Sequence, residues 1–231
     1  MVFYKHYSFD LWLTLIKSNP LFKQERTTYF YNKFNTKDKH IDEIAVAFRK
    51  VDLMVNAINE KTGKNVDADE MYLMVIAMIN DYAFPFNEID LAQLDHEMEE
   101  LVLTHRPILY CEECIDVLSE IKSSGLSTTN ILSNTGFIKG KTLRKILNHL
   151  KLEPYLDFQL YSDEVRMSKP NPNFFQLMLD TIDKNKHPNI ALHEIIHVGD
   201  NPFADVNGAN NMGIKSMLIN SNHLSISHLR S

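Results

Sequence analysis

Cysteine is scarce in this chain of 231 residues, with two copies, and long apolar runs and low-complexity tracts are missing. Two cysteines are too few for the disulfide framework of a small secreted domain and fit a reducing compartment. No apolar stretch approaches the ~20 residues that cross a bilayer. Residues 1–6 lack the charged and apolar regions of a signal peptide. A net charge of −6 gives no attraction for a polyanion such as DNA. We therefore expect a cytoplasmic monomer or homodimer without a membrane or nucleic-acid partner.

The two cysteines, Cys111 and Cys114, form a Cys-x-x-Cys pair. A structural zinc site usually takes four ligands, and neither a second cysteine pair nor a spaced histidine pair accompanies this one. The pair therefore predicts ordinary helix positions more strongly than a metal or redox centre.

Short apolar runs alternate with helix-like patterns along much of the chain. Strands are predicted near 2–10, 126–133, 157–161, 194–199 and 214–219. Helices are predicted at 111–123, 139–150, 173–184 and 202–211. This alternation is typical of an α/β fold with a doubly wound, mostly parallel, Rossmann-like sheet. Ligand sites of such sheets lie at the carboxyl ends of the strands.

The stretch from 16 to 106 contains no convincing strand and has the pattern of amphipathic helices. The predicted helices are 41–60, 68–83 and 88–105. Pro20 and Pro107 mark the crossing points at its ends, since proline disfavours helix at the preceding residue. We expect an α/β core made of 1–16 and 107–231, with an all-helical cap domain inserted at 17–106.

Four short motifs follow predicted strands in a fixed order. Asp10 closes the first strand, Ser133 closes the second, Lys169 opens a Lys-Pro-Asn-Pro segment, and Gly-Asp at Asp200 is followed five residues later by Asp205. Each motif is weak alone, but the ordered set covers nearly the whole chain. It resembles the haloacid dehalogenase (HAD) superfamily of hydrolases, and the helical insert is similar to the C1-type cap of its subfamily I.

The resemblance implies a role for each matching residue in phosphoryl transfer. Asp10 would be the nucleophile that forms an aspartyl-phosphate on a small phosphorylated substrate. The Ser133 hydroxyl and the backbone N–H groups of Leu11 and Asn134 would bind the phosphate oxygens. Lys169 would balance the negative charge of the nucleophile and the transferring group.

The resemblance also implies a Mg²⁺ ion. Asp10, Asp200 and the backbone carbonyl of Trp12 would hold it, and Asp205 would act through a metal-bound water or by orienting Lys169. Clustered carboxylates repel one another without a cation. A Mg²⁺ site is therefore the simplest reason for the chain to keep three aspartates in these motifs.

The chain departs from the family's phosphatases at two positions of the first motif. Those enzymes carry a second aspartate, the general acid, at the position that Trp12 occupies here, and the resemblance implies that Trp12 contacts the substrate. Leu13 replaces the usual glycine. General acid–base catalysis is typically worth roughly 10²–10⁴-fold. Without it, acyl phosphates, activated aryl phosphates and phosphoanhydrides are the expected substrates, because their leaving groups need no protonation.

Other enzymes of the superfamily remain open alternatives. Haloacid dehalogenases carry an aromatic residue at the position of Trp12, but they need no metal, and no arginine between Arg26 and Arg49 matches their halide-binding residue. Phosphonoacetaldehyde hydrolases use a cap lysine. The candidates for that lysine here are Lys17, Lys23 and Lys33.

Two non-catalytic alternatives also stay open. One is a module that binds Mg²⁺ and a phosphorylated ligand without turnover, and the other is an interaction protein without a ligand. For the enzyme, we further expect some of Lys17, Lys23 and Arg26 to face the site and to favour anionic substrates.

Overall fold

The computed structural model describes residues 3–123, 125–184, 186–220 and 222–230, so the predicted start of the first strand at residue 2 lies outside the described residues. The strands are β1 (His6–Phe9), β2 (Ile16–Lys17), β3 (Ile108–Leu109), β4 (Thr128–Ser133), β5 (Phe158–Tyr161), β6 (Ile195–Gly199) and β7 (Lys215–Leu218). The helices are α1 (Pro20–Phe34), α2 (Ile41–Thr62), α3 (Ala68–Ile79), α4 (Leu91–Thr104), α5 (Cys114–Ser123), α6 (Gly140–His149), α7 (Ser162–Val165), α8 (Pro172–Thr181) and α9 (Gly208–Asn211).

Five strands form one parallel sheet in the order β5-β4-β1-β6-β7. Its three central strands, β4, β1 and β6, are buried on both faces, which explains their short apolar runs. In β6, Ile196 and Val198 pack into a cluster with α5 and α6, whereas Ile195 packs into a second cluster with α8. The predicted α/β Rossmann-like fold with a mostly parallel sheet is confirmed.

The strand order brings the predicted motifs to one edge of the sheet. Strand β1 pairs with β4 on one side and with β6 on the other. Asp10 directly follows β1, Ser133 ends β4, and Asp200 directly follows β6. Residues far apart in the sequence therefore meet at the carboxyl ends of three adjacent strands.

Helices α1 to α4 lie between the short strands β2 and β3 and pack around an aromatic core of their own. The Phe30 ring lies 4.8 Å from that of Phe48 and 5.7 Å from that of Tyr72, measured between centroids. Helix α1 begins at Pro20, and the side chain of Asn19 accepts a hydrogen bond from the Leu21 N–H, 3.0 Å away. The predicted boundaries of the core and the insert at 16/17 and 106/107 stay predictions.

The expectation that residues 16–106 contain no strand is wrong at its first residues. Ile16 and Lys17 form β2, which pairs antiparallel with β3 where the helical segment joins the sheet. Two residues on each side give no visible alternation, and the pairing joins positions about ninety residues apart, so no local pattern could predict it.

The end of α2 is tied to the rest of the molecule beside the predicted site. Gly63 ends the helix with φ +66°, a left-handed conformation that glycine adopts without strain. Its carbonyl accepts hydrogen bonds from the Ser168 N–H at 3.1 Å and from Asn171 Nδ2 at 2.9 Å. A Cβ at position 63 would lie 3.0 Å from the Asn171 side chain, so glycine also allows the close approach. These bonds join α2 to the segment that carries Lys169.

No helix in the described ranges combines the length and the apolar character needed to cross a membrane. The thiols of Cys111 and Cys114 lie 3.0 Å apart at the start of α5. Cys114 is buried, as expected for an ordinary core position on a helix.

Candidate active site

Asp10 continues the ladder of the sheet by donating its N–H to the carbonyl of Val198, 2.9 Å away. Its carboxylate is nearly buried. Oδ1 lies 2.8 Å from the amine of Lys169, and Oδ2 accepts a hydrogen bond from the Thr14 hydroxyl at 3.3 Å. Burial raises the pKa of Asp10 to about 6, and the neighbouring Lys169 opposes the rise. The group is therefore ionised at neutral pH and held in a fixed orientation.

Lys169 lies between two carboxylates. Its amine is 2.8 Å from Asp10 Oδ1 and 2.6 Å from Asp205 Oδ1, and its side chain is 1% exposed. Burial lowers the pKa of Lys169, but the two carboxylates outweigh burial and hold the pKa above its usual value. The site therefore contains a buried ammonium group that is protonated and paired with two carboxylates.

Asp205 lies in a π-helical turn, Pro202–Asn207, which runs directly into α9. Such turns are frequent at functional sites. Besides Lys169, its carboxylate accepts hydrogen bonds from His197 Nε2 and from the Asn201 N–H, each at 3.0 Å. Burial opposes ionisation, but these donors and the lysine charge hold the pKa of Asp205 well below its usual range. A Cβ on Gly199 would lie 2.2 Å from Asp205 Oδ2, so only glycine fits at that position.

His197 supports Asp205 from within the sheet. Burial lowers the pKa of His197, so the ring is neutral. A neutral ring that donates its Nε2–H to Asp205 leaves Nδ1 to accept a hydrogen bond from the Ser8 hydroxyl, 2.9 Å away. The sequence reasoning missed this pair, because polar residues inside a buried strand give no signal of what they contact.

Asp200 has the opposite environment. Burial, together with the charges of Asp10 and Asp205, raises the pKa of Asp200 to about 7. Among the residues the structure describes, no lysine or arginine forms an ion pair with Asp200. Oxygens of Asp10, Asp200 and Asp205 all lie within 4.8 Å of one another, and these three carboxylates could hold a metal ion.

The loop after Asp10 carries the two departures from the resembled pattern. Trp12 is half-buried against the main core cluster and lines the cavity above the carboxylates. Leu13 has φ 56°, a left-handed conformation that costs a side chain with a Cβ roughly 1–2 kcal/mol. Its N–H donates to the carbonyl of Ile16 at 2.7 Å, which holds the turn. Leucine thus occupies the backbone conformation that suits the expected glycine.

A cavity of about 530 Å³ opens above these groups, between the sheet and helices α1 and α2. Of the predicted site residues, the following line it: Asp10, Trp12, Asn134, Lys169, Asp200 and Asp205. Leu11 and Ser133 are not among the described lining residues. The Leu11 N–H bonds to the Asp10 carboxylate, and the Ser133 hydroxyl donates to the Asn134 carbonyl at 3.2 Å. The phosphate-binding roles of Leu11 and Ser133 stay predictions.

Residues of the helical segment between β2 and β3 form another part of the cavity wall and contribute further charged side chains to it. Lys23 and Arg26 line it, whereas the Lys17 amine lies 5.7 Å from the ring of Tyr110. Lys33 pairs with Glu97 at 2.7 Å. The sequence reasoning did not assign the other lining residues of this segment to a cavity wall. They are Ala45, Phe48, Arg49, Asp52, Asn56 and Glu60 of α2, with Ser18, Phe22 and Thr27. Their helical spacing predicted a helix but not which turns would face the sheet.

Two curated relatives match parts of the chain. A protein of Pyrococcus furiosus, glyceraldehyde 3-phosphate phosphatase, is 28% identical over 175 residues, 70% of each chain. The rhythmically expressed gene 2 protein of Drosophila melanogaster is 36% identical over 77 residues, a third of this chain. That match spans 28% of the length of the fly protein.

Solved structures with the same fold include several hydrolases. A HAD hydrolase of Bacillus subtilis, YfnB, bound to magnesium, has a TM-score of 0.71 at 16% identity, with 96% of this chain and 92% of that chain covered. A HAD phosphatase of Thermococcus onnurineus has a TM-score of 0.65 at 20% identity, with 98% and 96% covered. The L-2-haloacid dehalogenase of Xanthobacter autotrophicus, with chloropropionic acid covalently bound, has a TM-score of 0.61 at 18% identity, with 94% and 77% covered. These likenesses concern the fold.

The haloacid dehalogenase-like hydrolase family matches residues 7–219, which include every predicted motif. The match agrees with the parallel sheet and with the convergence of the motif residues at its edge. This chain belongs to the haloacid dehalogenase-like hydrolases.

Proposed function

We propose that this hydrolase is a Mg²⁺-dependent phosphohydrolase that acts on a small phosphorylated metabolite through an aspartyl-phosphate at Asp10. The observation that carries the proposal is the placement of the Lys169 amine, 2.8 Å from Asp10 and 2.6 Å from Asp205. A buried cation beside the nucleophile balances the charge that a phosphoryl group brings into the site. The phosphatase name of the Pyrococcus relative supports the same reaction class.

The cluster of three carboxylates supports Mg²⁺ as the cofactor, because hard oxygen ligands suit this ion. Asp10 and Asp200 would hold it, together with the backbone carbonyl of Trp12. When bound, the ion would supply positive charge against the phosphate oxygens and the nucleophile. The raised pKa of Asp200 fits this role, since Lys169 forms ion pairs with the other two carboxylates and only partly offsets the repulsion at Asp200.

The chain's own residues account for the two bond changes. A carboxylate oxygen of Asp10 attacks phosphorus in line, and the bond from phosphorus to the leaving oxygen breaks as the new bond forms. Water then attacks phosphorus, which releases phosphate and restores the carboxylate. Lys169 stays protonated throughout, because the flanking carboxylates raise its pKa. Thr14 and Lys169 each hold one oxygen of Asp10 and so orient the attack.

Trp12 restricts the leaving group. Its indole lines the cavity at the position of the expected general acid and has no proton to give at neutral pH. The leaving oxygen must therefore depart without protonation by this residue. Acyl phosphates, activated aryl phosphates and phosphoanhydrides meet that requirement, and alkyl phosphates do not.

Dehalogenation is the second candidate, and the aromatic residue at position 12 favours it. We place it second because the chain keeps Asp200 and Asp205 within 4.8 Å of Asp10. A metal-independent enzyme would carry the repulsion of these groups without benefit.

Phosphate release tests the proposal directly. The substrates are acetyl phosphate, p-nitrophenyl phosphate and sugar phosphates, with and without Mg²⁺. The variants are Asp10→Asn and, as a matched control, Asp116→Asn, an exposed aspartate in the first turn of α5. We expect Mg²⁺-dependent release that is lost in Asp10→Asn, kept in Asp116→Asn and fastest for acetyl phosphate.

Release that persists in Asp10→Asn would contradict the assigned nucleophile. Silence across the panel would contradict phosphohydrolysis, and halide release from 2-haloacids would then identify a dehalogenase. Stabilisation by Mg²⁺ with beryllium fluoride, without any turnover, would identify a binding module instead.

A further inference from the structure

Arg26 of α1 lies in the cavity wall and is unusual for a charged residue in being 8% exposed. Its guanidinium carbon lies 3.9 Å from the centroid of the Phe48 ring, 4.6 Å from that of Phe137 and 5.2 Å from that of Phe22. The three rings come from α2, from the loop after β4 and from α1. They form a box that fixes the plane of the guanidinium group, which we call the aromatic box.

Arg26 has no acidic partner among the residues that the structure describes. Within the described ranges the structure contains no ion pair to Arg26, and its Nε has no hydrogen-bond partner. The Tyr72 hydroxyl is a hydrogen-bond partner of the Arg26 side chain, and it is uncharged. Asp52 pairs with Arg49, at 3.0 Å, and not with Arg26. Arginine stays protonated in proteins, so a full positive charge is buried here.

A buried charge without an acidic partner is destabilising. Contacts with aromatic faces offset part of that cost, but they use none of the N–H donors, and Nε has no hydrogen-bond partner. A cation with a purely structural role would be stabilised more by an acidic partner within the fold, as Lys169 is stabilised by Asp10 and Asp205. An anion that enters the cavity would supply the charge partner that Arg26 lacks among the described residues.

The other cations of the cavity wall do not compete for that anion. Lys169 is neutralised by its carboxylates, and Arg49 by Asp52. Lys23 is exposed at the rim. Arg26 is thus the buried positive charge that remains open among the described lining residues.

We propose that Arg26 binds a carboxylate at the end of the substrate remote from the phosphoryl group, so that the substrates are small phosphorylated acids. The inference rests on the proposed phosphohydrolase function and adds the class of substrate. A planar guanidinium presents two parallel N–H groups that match a carboxylate in bidentate fashion. One guanidinium balances one negative charge. A second phosphate dianion would keep an excess charge near Asp52 and Glu60, which line the same cavity.

Two substrates of nearly equal size and with the same reacting group test the proposal. 4-Carboxybenzoyl phosphate carries a distal carboxylate, and 4-methylbenzoyl phosphate carries a methyl group at the same ring position. Both are acyl phosphates that need no general acid, and the rigid ring keeps the carboxylate away from the acyl carbon. We expect wild-type kcat/KM for 4-carboxybenzoyl phosphate to exceed that for 4-methylbenzoyl phosphate by about 10- to 100-fold, as for a charge-assisted pair of hydrogen bonds. The difference should reside mainly in KM.

Arg26→Met should abolish this preference by lowering kcat/KM for 4-carboxybenzoyl phosphate while that for 4-methylbenzoyl phosphate stays near the wild-type value. Arg26→Lys keeps the charge but not the fork, and it should retain a reduced preference. Arg49→Met, at another arginine of the same cavity wall, is the matched control and should keep the wild-type ratio. Circular dichroism and thermal unfolding establish that each variant is folded. An unchanged preference in Arg26→Met would overturn the proposal.

Binding of terephthalate, measured by calorimetry with the wild type and with Arg26→Met, separates this inference from the proposed function. If no phosphate is released from either acyl phosphate, phosphohydrolysis fails. Terephthalate binding that is lost in Arg26→Met would still support the anion site. Equal binding by the wild type and Arg26→Met, or a preference for a bisphosphate over 4-carboxybenzoyl phosphate, would overturn the carboxylate assignment.

Discussion

Two aspartates five residues apart should respond to the same substitution with opposite changes in stability. Asp200 is repelled by its neighbours, whereas Asp205 accepts hydrogen bonds from Lys169, His197 and the Asn201 N–H. We therefore expect Asp200→Asn to stabilise the metal-free protein and Asp205→Asn to destabilise it.

The size of the first effect follows from the pKa. A rise from 3.8 to about 7 for Asp200 corresponds to a loss of about 4 kcal/mol in the free energy of unfolding at pH 8. Asp200 is partly exposed, and solvent screening reduces the figure to about 2 kcal/mol. In a chain of this size, that is a gain of about 4–8 °C in Tm for Asp200→Asn. Asp205→Asn leaves Lys169 with one carboxylate and should cost about 3–5 kcal/mol.

The pH dependence separates the two residues further. The pKa of Asp200 is raised, so its penalty is complete above pH 7 and shrinks as the pH falls towards 4. The gain of Asp200→Asn should therefore be smaller at pH 5 than at pH 8. The pKa of Asp205 is lowered, so its contribution is complete above about pH 4. The deficit of Asp205→Asn should be the same at both values.

Thermal unfolding with a chelator, at pH 8 and pH 5, measures both effects. Saturating Mg²⁺ should raise the Tm of the wild type and leave that of Asp200→Asn nearly unchanged. A lower Tm for Asp200→Asn in the chelator would refute the argument, because it would show that Asp200 makes a favourable interaction in the metal-free state.

Three further predictions concern the same site. In thermal scans, the Tm increase caused by Mg²⁺ should be larger at pH 8 than at pH 5.5. The ion requires ionised Asp10 and Asp200, whose pKa values are about 6 and about 7. An equal increase at both pH values would contradict their role as ligands. Leu13→Gly should raise the free energy of unfolding in urea by up to about 1 kcal/mol. Glycine relieves the left-handed strain at φ 56°, but it also adds conformational entropy to the unfolded state. A lower free energy of unfolding would contradict the strain. Trp12→Asp should increase phosphate release from a sugar phosphate by roughly 10²–10⁴-fold, and no increase would show that another group already supplies the proton.

The sheet and the convergence of the motifs could be predicted because their signals are local. Each strand is a short apolar run bounded by turns, and parallel strands place their carboxyl ends at one edge. Each of four site residues lies at the end of a predicted strand or in the segment that follows one: Asp10, Lys169, Asp200 and Asp205. Their convergence could therefore be predicted without knowledge of side-chain packing.

The cavity wall could not be predicted, because it depends on how separate elements pack. The aromatic box joins rings from α1, α2 and the loop after β4, and no spacing along the chain relates them. For Ser133, the sequence predicted the position but not the direction of the side chain. Its position at the end of β4 was predictable, but its rotamer, which turns the hydroxyl to the Asn134 carbonyl, was not. His197 was hidden for a similar reason, since a polar residue in a buried strand does not indicate its partner.

The hydrogen bonds at Gly63 have a consequence for the rate of exchange of small molecules. The Gly63 carbonyl is bound by Ser168 and Asn171, which flank Lys169 in the chain. A movement of α2 away from this segment would break these two bonds and free the residues that hold the Lys169 ammonium group between its carboxylates. In the proposed phosphohydrolase, entry of substrate and exit of phosphate by such a movement would be coupled to the order of Lys169, and the open molecule would be one in which Asp10 is less well neutralised.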